Sequence, residues 1–350
     1  MKKARIGIVG ATGYVGMELL RLLILHGQVE ISTLVSQSFV GQRFSDIYPA
    51  FRGLVDQSLS ELSIEQLANE CDLVVTALPH GVSSQVVPQL LDAGVKVLDH
   101  SGDFRYRDLS VYEGAYKLSH PKPELLAEAI YGLPEIYRSR LADTKLAANP
   151  GCYPTCSILG LLPLLKNNLI DTNSIIIDAY SGISGAGRKA DLAFSFCEAQ
   201  DNIRPYGVIG HRHTSEIEQE AGLLAGLQTP PTISFTPHLA PIKRGMLATI
   251  YARLKPETAD ANLAGIYNEA YNNERFVRLM PQGQLPETKN VAYTNFADIA
   301  WTTDKRTGLV KVMSAIDNLG KGASGQALQT INIMLGLPEE TGLLAAGGTI

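Results

Sequence analysis

Arg5-Ile6-Gly7-Ile8-Val9-Gly10-Ala11-Thr12-Gly13-Tyr14-Val15-Gly16 is the stretch whose reading decides the fold. Arg5–Val9 is a short apolar run of the kind that forms a buried strand, and the pattern from Tyr14 to His26 is helical. Gly10, Gly13 and Gly16 lie between them in a GxxGxxG spacing, a variant of the dinucleotide-binding fingerprint. Glycines permit a tight turn and close backbone approach, while the helix start offers amide donors and a positive dipole to a pyrophosphate. A glycine triplet alone is a weak signal; a strand before it and an amphipathic helix after it supply the required context. Gly10, Thr12, Gly13, Tyr14, Val15 and Gly16 are therefore expected to contact a nucleotide, the alternative being a purely structural turn.

Outward from this loop the alternation continues. Glu30–Val35 reads as a second strand, Leu73–Ala77 as a third, Val82–Ala93 as a helix and Lys96–Asp99 as a strand. This is the grammar of a parallel, doubly wound α/β sheet. Arg105–Tyr137, rich in Tyr, Pro and charge, reads as irregular connection, and Leu146–Ala148 as the last strand of this part. After Cys152 the pattern changes: a helix over Tyr153–Asn167 precedes strand runs at Ser174–Tyr180, Thr232–Pro237, Met246–Leu254, Ala297–Thr303 and Leu309–Ile316. Several of these have no helix between them, so this half predicts an antiparallel or mixed sheet in an α+β domain. The expected division is a Rossmann-like dinucleotide-binding domain over 1–149 and an α+β domain that carries the cysteine over 150–321. A C-terminal segment, 322–350, containing a helix near Ala323–Leu335, returns to complete the first.

Composition narrows the partners. The chain has 350 residues, a formal charge of −5, 45% hydrophobic and 19% charged residues. That balance is ordinary for a globular protein and argues against nucleic acid, whose phosphates need clustered positive charge. There is no apolar run long enough to span a membrane and no hydrophobic leader after Met1, so a cytoplasmic location is the expectation. Four cysteines (Cys71, Cys152, Cys156, Cys197) make neither a disulfide scaffold nor a zinc-finger spacing, and no metal is expected. Cys156, Cys71 and Cys197 read as structural.

The strongest chemical signal is Asn149-Pro150-Gly151-Cys152-Tyr153-Pro154-Thr155. Pro150 and Gly151 end a strand and Pro154 suits the first turn of a helix. Cys152 is thereby placed at a helix N-terminus, where amides and dipole favour a thiolate, the form that acyl transfer needs. A base is sought in Gly210-His211-Arg212-His213-Thr214-Ser215-Glu216. His213 and Glu216, three apart, share a helix face and can pair, although Glu216 also suits a cap of the helix start. His213 is favoured as base and His211 as a substrate contact, but spacing does not settle the choice. In Asp99-His100-Ser101-Gly102-Asp103-Phe104-Arg105, Arg105 is placed beyond a strand's carboxyl end to grip a phosphate or carboxylate. Its alternative is a surface ion pair. Leu78, Pro79 and His80, ending another strand, are expected to line the cofactor. After the second strand stand Ser36-Gln37-Ser38 with Arg43 nearby and no acid until Asp46. Hydroxyls and an arginine suit a 2′-phosphate, so NADP is favoured over NAD.

Together these motifs resemble the N-acetyl-gamma-glutamyl-phosphate reductases of arginine biosynthesis, along nearly the whole chain. Further carriers are Ser181-Gly182-Ile183-Ser184-Gly185-Ala186-Gly187-Arg188, Pro237-His238-Leu239, Arg244-Gly245-Met246 and Asp317-Asn318-Leu319-Gly320-Lys321-Gly322. The resemblance implies an NADPH-dependent reductive dephosphorylation of a small acyl phosphate, with Cys152 as nucleophile, His213 as base and Glu216 as its partner. It also implies His211, Arg105 and Ser101 at the substrate, Gly185 and Asn318 at the cofactor, and a homodimer or homotetramer. Many members of that family carry Arg where this chain has Gln37, which leaves Arg43 to compensate. Two rivals remain. An acyl-aminoadipyl-phosphate reductase of lysine biosynthesis differs by one methylene, worth only ~1–3 kcal/mol. A nucleotide-sensing redox regulator would need no acyl phosphate site.

Overall fold

The computed structural model describes residues 3–348, which divide into two compact units. The first runs to Pro150 and includes Ala323–Leu344; the second is Gly151–Gly322 with the chain from Ala345 onward.

The first unit holds a six-stranded sheet. Its strands are β1 (Ala4–Val9), β2 (Val29–Val35), β3 (Leu73–Thr76), β4 (Lys96–Asp99), β5 (Ile130–Tyr131) and β6 (Leu146–Ala148), in the order β2-β1-β3-β4-β6-β5. Every pairing is parallel. β3 is buried along its whole length, as a parallel sheet covered on both faces demands. The strand order reverses between β1 and β3, so the glycine loop leaving β1 opens at a topological switch point. The helix Gly325–Met334 is buried at every residue. It packs against the helices Tyr14–Leu23 and Pro134–Asp143, with Gln326 Nε2 donating to the Gly132 carbonyl at 2.7 Å.

The second unit holds a seven-stranded mixed sheet. β7 (Ile170–Gly182), β8 (Arg204–Pro205), β9 (Ser234–Ala240), β10 (Met246–Leu254), β11 (Val277–Leu279), β12 (Ala297–Asp304) and β13 (Leu309–Ile316) are ordered β11-β12-β13-β10-β7-β9-β8. Antiparallel pairings of β10 with β7 and β13 form its centre. Alternate residues of β10 (Met246, Ala248, Ile250, Ala252) are buried, and the helix Cys152–Lys166 packs on β10 and β13. At Gly160 a Cβ would lie 3.0 Å from Ile250 Cδ1, so the missing side chain lets helix and sheet approach.

Three readings need correction. Arg105–Tyr137 is not irregular: it forms the helices Leu109–Tyr116 and Leu125–Glu128, the edge strand β5 and the start of Pro134–Asp143. The signals were capping signals, not periodicity. Asp108 accepts from the Ser110 amide at the first helix, and Pro134 opens the last. The strand expected to stop at Pro237 runs on to Ala240. Pro237 costs little there because its carbonyl is what the neighbouring chain uses, accepting from Tyr206 N at 3.0 Å. Cys197 is exposed and carries no core, whereas Cys71 and Cys156 are buried.

Candidate active site

In the second unit, the helix Cys152–Lys166 begins at the cysteine, with Gly151 as its N-cap. Helix geometry leaves the amides of Cys152 and Tyr153 without intrahelical acceptors, and Pro154 has no N–H to satisfy. Thr155 anchors the turn, its amide and hydroxyl both donating to the Gly151 carbonyl at 2.9 and 3.0 Å. Against this turn lies the helix Arg212–Leu224. It brings two groups to one residue. Glu216, fully buried, accepts from the Gly151 amide through Oε1 at 2.8 Å. A Cβ on Gly151 would stand 2.5 Å from His213 Nε2, so the imidazole occupies the space a side chain would need. Glu216 was expected to serve His213 or cap its own helix; the contact at its Oε1 is with the N-cap residue of the cysteine helix.

His211 is the N-cap of its helix, its Nδ1 accepting from the His213 amide at 3.1 Å. That bond fixes the tautomer with the proton on Nε2. Tyr153, Tyr206, Phe235 and His213 pack edge-on around the ring. Burial, aided by the Arg212 charge, pushes His211 down to about 4. A neutral ring with its proton on Nε2 offers a donor there.

On the other side of Cys152, a Cβ on Gly322 would lie 2.9 Å from the cysteine Cβ. The buried Asp317 carboxylate accepts from Arg244 and from the amides of Leu319 and Gly320, and so shapes this turn. Asn318 is tied at both ends of its amide, accepting from Gly245 N at 2.8 Å and donating to Ser184 Oγ at 2.9 Å. It braces the 182–187 loop, on which Gly185 is exposed.

In the first unit, the glycines of the loop differ in what they make room for. Gly10 has φ +90° and a Cβ there would meet the Ala77 carbonyl oxygen at 2.4 Å, so the protein itself requires glycine. Gly13, the N-cap of the helix Tyr14–Leu23, meets nothing closer than 3.6 Å and supplies no side-chain cap. An uncapped N-terminus with open space in front of it suits an anion. Tyr14 and Val15 open this helix, where Gly16 is pressed on the Ala11 carbonyl. Thr12 and the buried Ser36 share a hydroxyl–hydroxyl contact of 3.1 Å, while Ser38 and Arg43 are exposed. At the end of β3, beyond Leu78 and Pro79, His80 Nδ1 accepts from Gly102 N at 2.8 Å, leaving its Nε2 as the protonated nitrogen.

The loop 101–105 splits into braces and a cation. The Ser101 hydroxyl bonds Asp99 and accepts from Asp103 N, and the residue is buried. Its side chain thereby supports the loop. Asp103, missed in the sequence reading, accepts from Gly81 N and Ser84 N and so fastens the His80 loop to this one. Arg105 does not lie at the surface. It is 7% exposed, with Nε donating to the Asn149 carbonyl at 2.7 Å and Nη2 to that of His100 at 2.8 Å. Among the described residues no cluster of three His, Cys, Asp or Glu side chains is arranged for a metal ion, and no helix is long and apolar enough to cross a membrane.

Comparison with known proteins places these two units. Residues 5–144 match the model of the semialdehyde dehydrogenase NAD binding domain, and residues 152–318 that of the semialdehyde dehydrogenase dimerisation domain. Aspartate semialdehyde dehydrogenase II of Vibrio cholerae, complexed with ASA, superposes with a TM-score of 0.73 at 16% identity, covering 96% of this chain and 99% of that one. The Candida albicans aspartate semialdehyde dehydrogenase with NADP gives 0.72 at 17% identity, covering 95% and 99%. At such identities these likenesses speak to the fold, that of the semialdehyde dehydrogenases. Sequence relatives go further. The N-acetyl-gamma-glutamyl-phosphate reductase of Acetivibrio thermocellus is 54% identical over 98% of this chain and 99% of its own. That of Desulforamulus reducens is 50% identical over 98% and 99%. The chain belongs to the N-acetyl-gamma-glutamyl-phosphate reductase family.

Proposed function

We propose that this protein reduces N-acetyl-gamma-glutamyl phosphate to N-acetylglutamate 5-semialdehyde with NADPH, through a thioester on Cys152. The observation that carries the reading is the convergence of His213 and Glu216 on Gly151, the residue before the nucleophile. His213 takes the thiol proton. The sulfur attacks the γ-carbonyl carbon, the bond to the phosphate oxygen breaks, and phosphate leaves as the thioester forms. The Nε2–H of His211 is suited to hold a substrate oxygen. Arg105, a buried cation at the carboxyl edge of the first sheet, is suited to hold the phosphate, and amides at the helix start to hold the oxyanion. The dinucleotide lies along Gly10, Thr12, Gly13 and the ends of β3 and β2, with Ser36, Ser38 and Arg43 on the ribose side. Bound there, NADPH supplies the hydride. When the carbon–sulfur bond breaks to release the aldehyde, His213 returns the proton to the thiolate. Splitting the reaction in two makes each barrier lower than direct reduction.

The second unit also carries a half-exposed sheet face, with Tyr180 on β7 beside Leu247, Thr249 and Tyr251 on β10, and Ile176 47% exposed. A sheet face of this kind suits self-association, as a homodimer or a homotetramer, of a cytoplasmic enzyme.

The test is the reverse reaction: phosphate-dependent reduction of NADP by N-acetylglutamate semialdehyde, run beside the homologue one carbon longer and beside NAD. The shorter aldehyde with NADP should give the highest kcat/KM, and Cys152→Ala should abolish turnover while leaving NADPH binding intact. Turnover by Cys152→Ala, or preference for the longer aldehyde, would overturn the reading.

A further inference from the structure

His100 and Asn149 sit at the carboxyl ends of adjacent strands, one residue beyond the paired Asp99 and Ala148 of β4 and β6. Their backbones are fixed on both sides. His100 N donates to the Thr76 carbonyl at 2.9 Å, Asn149 N to the Asp99 carbonyl at 2.7 Å, and the single Arg105 guanidinium takes both their carbonyls. The side chains form a pair of their own. Asn149 Nδ2 lies 3.2 Å from His100 Nδ1 and donates to the Ala323 carbonyl at 3.2 Å. The Ala323 carbonyl can only accept, so this end of the amide is its nitrogen. Facing an NH2 group, His100 Nδ1 must accept, which puts the ring proton on Nε2.

Two polar atoms are then left over. His100 Nε2–H and Asn149 Oδ1 are both buried and have no hydrogen-bond partner among the described residues. Leaving such a group unsatisfied costs about 1–3 kcal/mol, so two together on one rigid pair call for a ligand. One is a donor only, the other an acceptor only. An acyl phosphate dianion offers acceptors alone and would be repelled by Oδ1. A primary carboxamide offers one acceptor and an NH2 donor, which is the complement of the pair. Position agrees with chemistry. In the strand order the pair lies two to three strands from the glycine loop, on the side away from Ser36 at the end of β2. At about 4.8 Å per strand that is roughly 10–14 Å, the reach of the second half of a dinucleotide from its pyrophosphate. An adenine edge has the same donor–acceptor pattern but belongs on the β2 side.

We infer that His100 and Asn149 form the recognition site for the carboxamide of the nicotinamide ring, His100 Nε2–H on its carbonyl and Asn149 Oδ1 on its NH2. This rests on the nucleotide reading above and assigns His100, for which that reading has no task. The test is direct binding, by titration calorimetry, of three ligands: NADP, its 3-acetylpyridine analogue, which keeps the carbonyl but lacks the NH2, and 2′-phospho-ADP-ribose, which lacks the ring. His100→Leu should raise the Kd for NADP ~10-fold, raise that for the acetylpyridine analogue similarly, and leave 2′-phospho-ADP-ribose unchanged. His100→Gln, which keeps an N–H donor, should recover most of the loss. In the wild type the acetylpyridine analogue should bind several-fold more weakly than NADP. Equal weakening of all three ligands would make His100 a general support, and unchanged binding of all three would leave the pair to solvent. An increase only in the KM for phosphate would hand it to the anion. Each of these overturns the inference. A wild type that binds no NADP would instead sink the nucleotide reading itself.

Discussion

Two helices, one in each unit, start at an N-cap glycine, and the two glycines meet opposite surroundings. Gly13 and Gly151 have nearly the same extended backbone, with φ −73° and −67° and ψ 166° and 151°. Alanine adopts that conformation without strain, so neither glycine is there for its torsion angles. In front of Gly13 the protein leaves open space; in front of Gly151 it places its own imidazole. One glycine leaves the space in front of it open, and the other yields it to a side chain of the protein itself.

The difference gives the largest effect expected here. Gly151→Ala puts a Cβ where His213 Nε2 now stands, and a displacement of about 1 Å at a reacting group costs ~10²-fold in rate. Steady-state kinetics should show kcat down by that order, with the NADP Kd unchanged. Full activity would mean that the ring can move aside at no cost and that its position beside Gly151 is incidental. Gly13→Ala should do the reverse. The protein has room for the methyl group, so the melting temperature should hold, while NADP affinity falls ~10-fold because the amides can no longer be approached closely. If Gly13→Ala melted early with nucleotide affinity intact, the glycine would belong to the turn and not to the ligand.

The same contrast explains what was legible in the sequence. A glycine loop works through backbone geometry local to a dozen residues, so Gly10 and Gly16 announce themselves by spacing. The cysteine helix was legible for a similar reason, since Pro150, Gly151 and Pro154 punctuate it. The contact of Glu216 with Gly151 was not legible because the donor amide lies 65 positions away, and no spacing along one helix encodes it. The burial of Arg105 was not legible, because the carbonyls of His100 and Asn149 that hold it are brought to it by two adjacent strands. Asp103 gave no signal at all: an aspartate two residues before an arginine reads as its ion partner, whereas here it fastens the amides at the start of the helix Ser83–Asp92. The Leu109–Tyr116 helix escaped because its hydrophobic pattern is weak and only Asp108 marks its start.

The smallest effect sharpens the division of labour between the two histidines. Burial pushes His211 to about 4 and His100 to about 3, both below the value near 6.5 of an unfolded chain. The sign follows from linkage: the unfolded chain binds protons that the native rings refuse. The stabilisation is complete above about pH 7 and is lost as pH falls from ~6.5 through the folded values. His211→Asn keeps a side-chain oxygen to cap the His213 amide but removes the titration. Melting curves between pH 8 and pH 5 should therefore fall less steeply for His211→Asn than for the wild type, by a few degrees over that interval. Carboxylates titrate mostly below this range and are common to both proteins, so they cancel in the difference. Parallel curves would mean that His211 titrates alike in the folded and unfolded states. Its ring would then be open to solvent and free to act as a base, and the assignment of that task to His213 would fall.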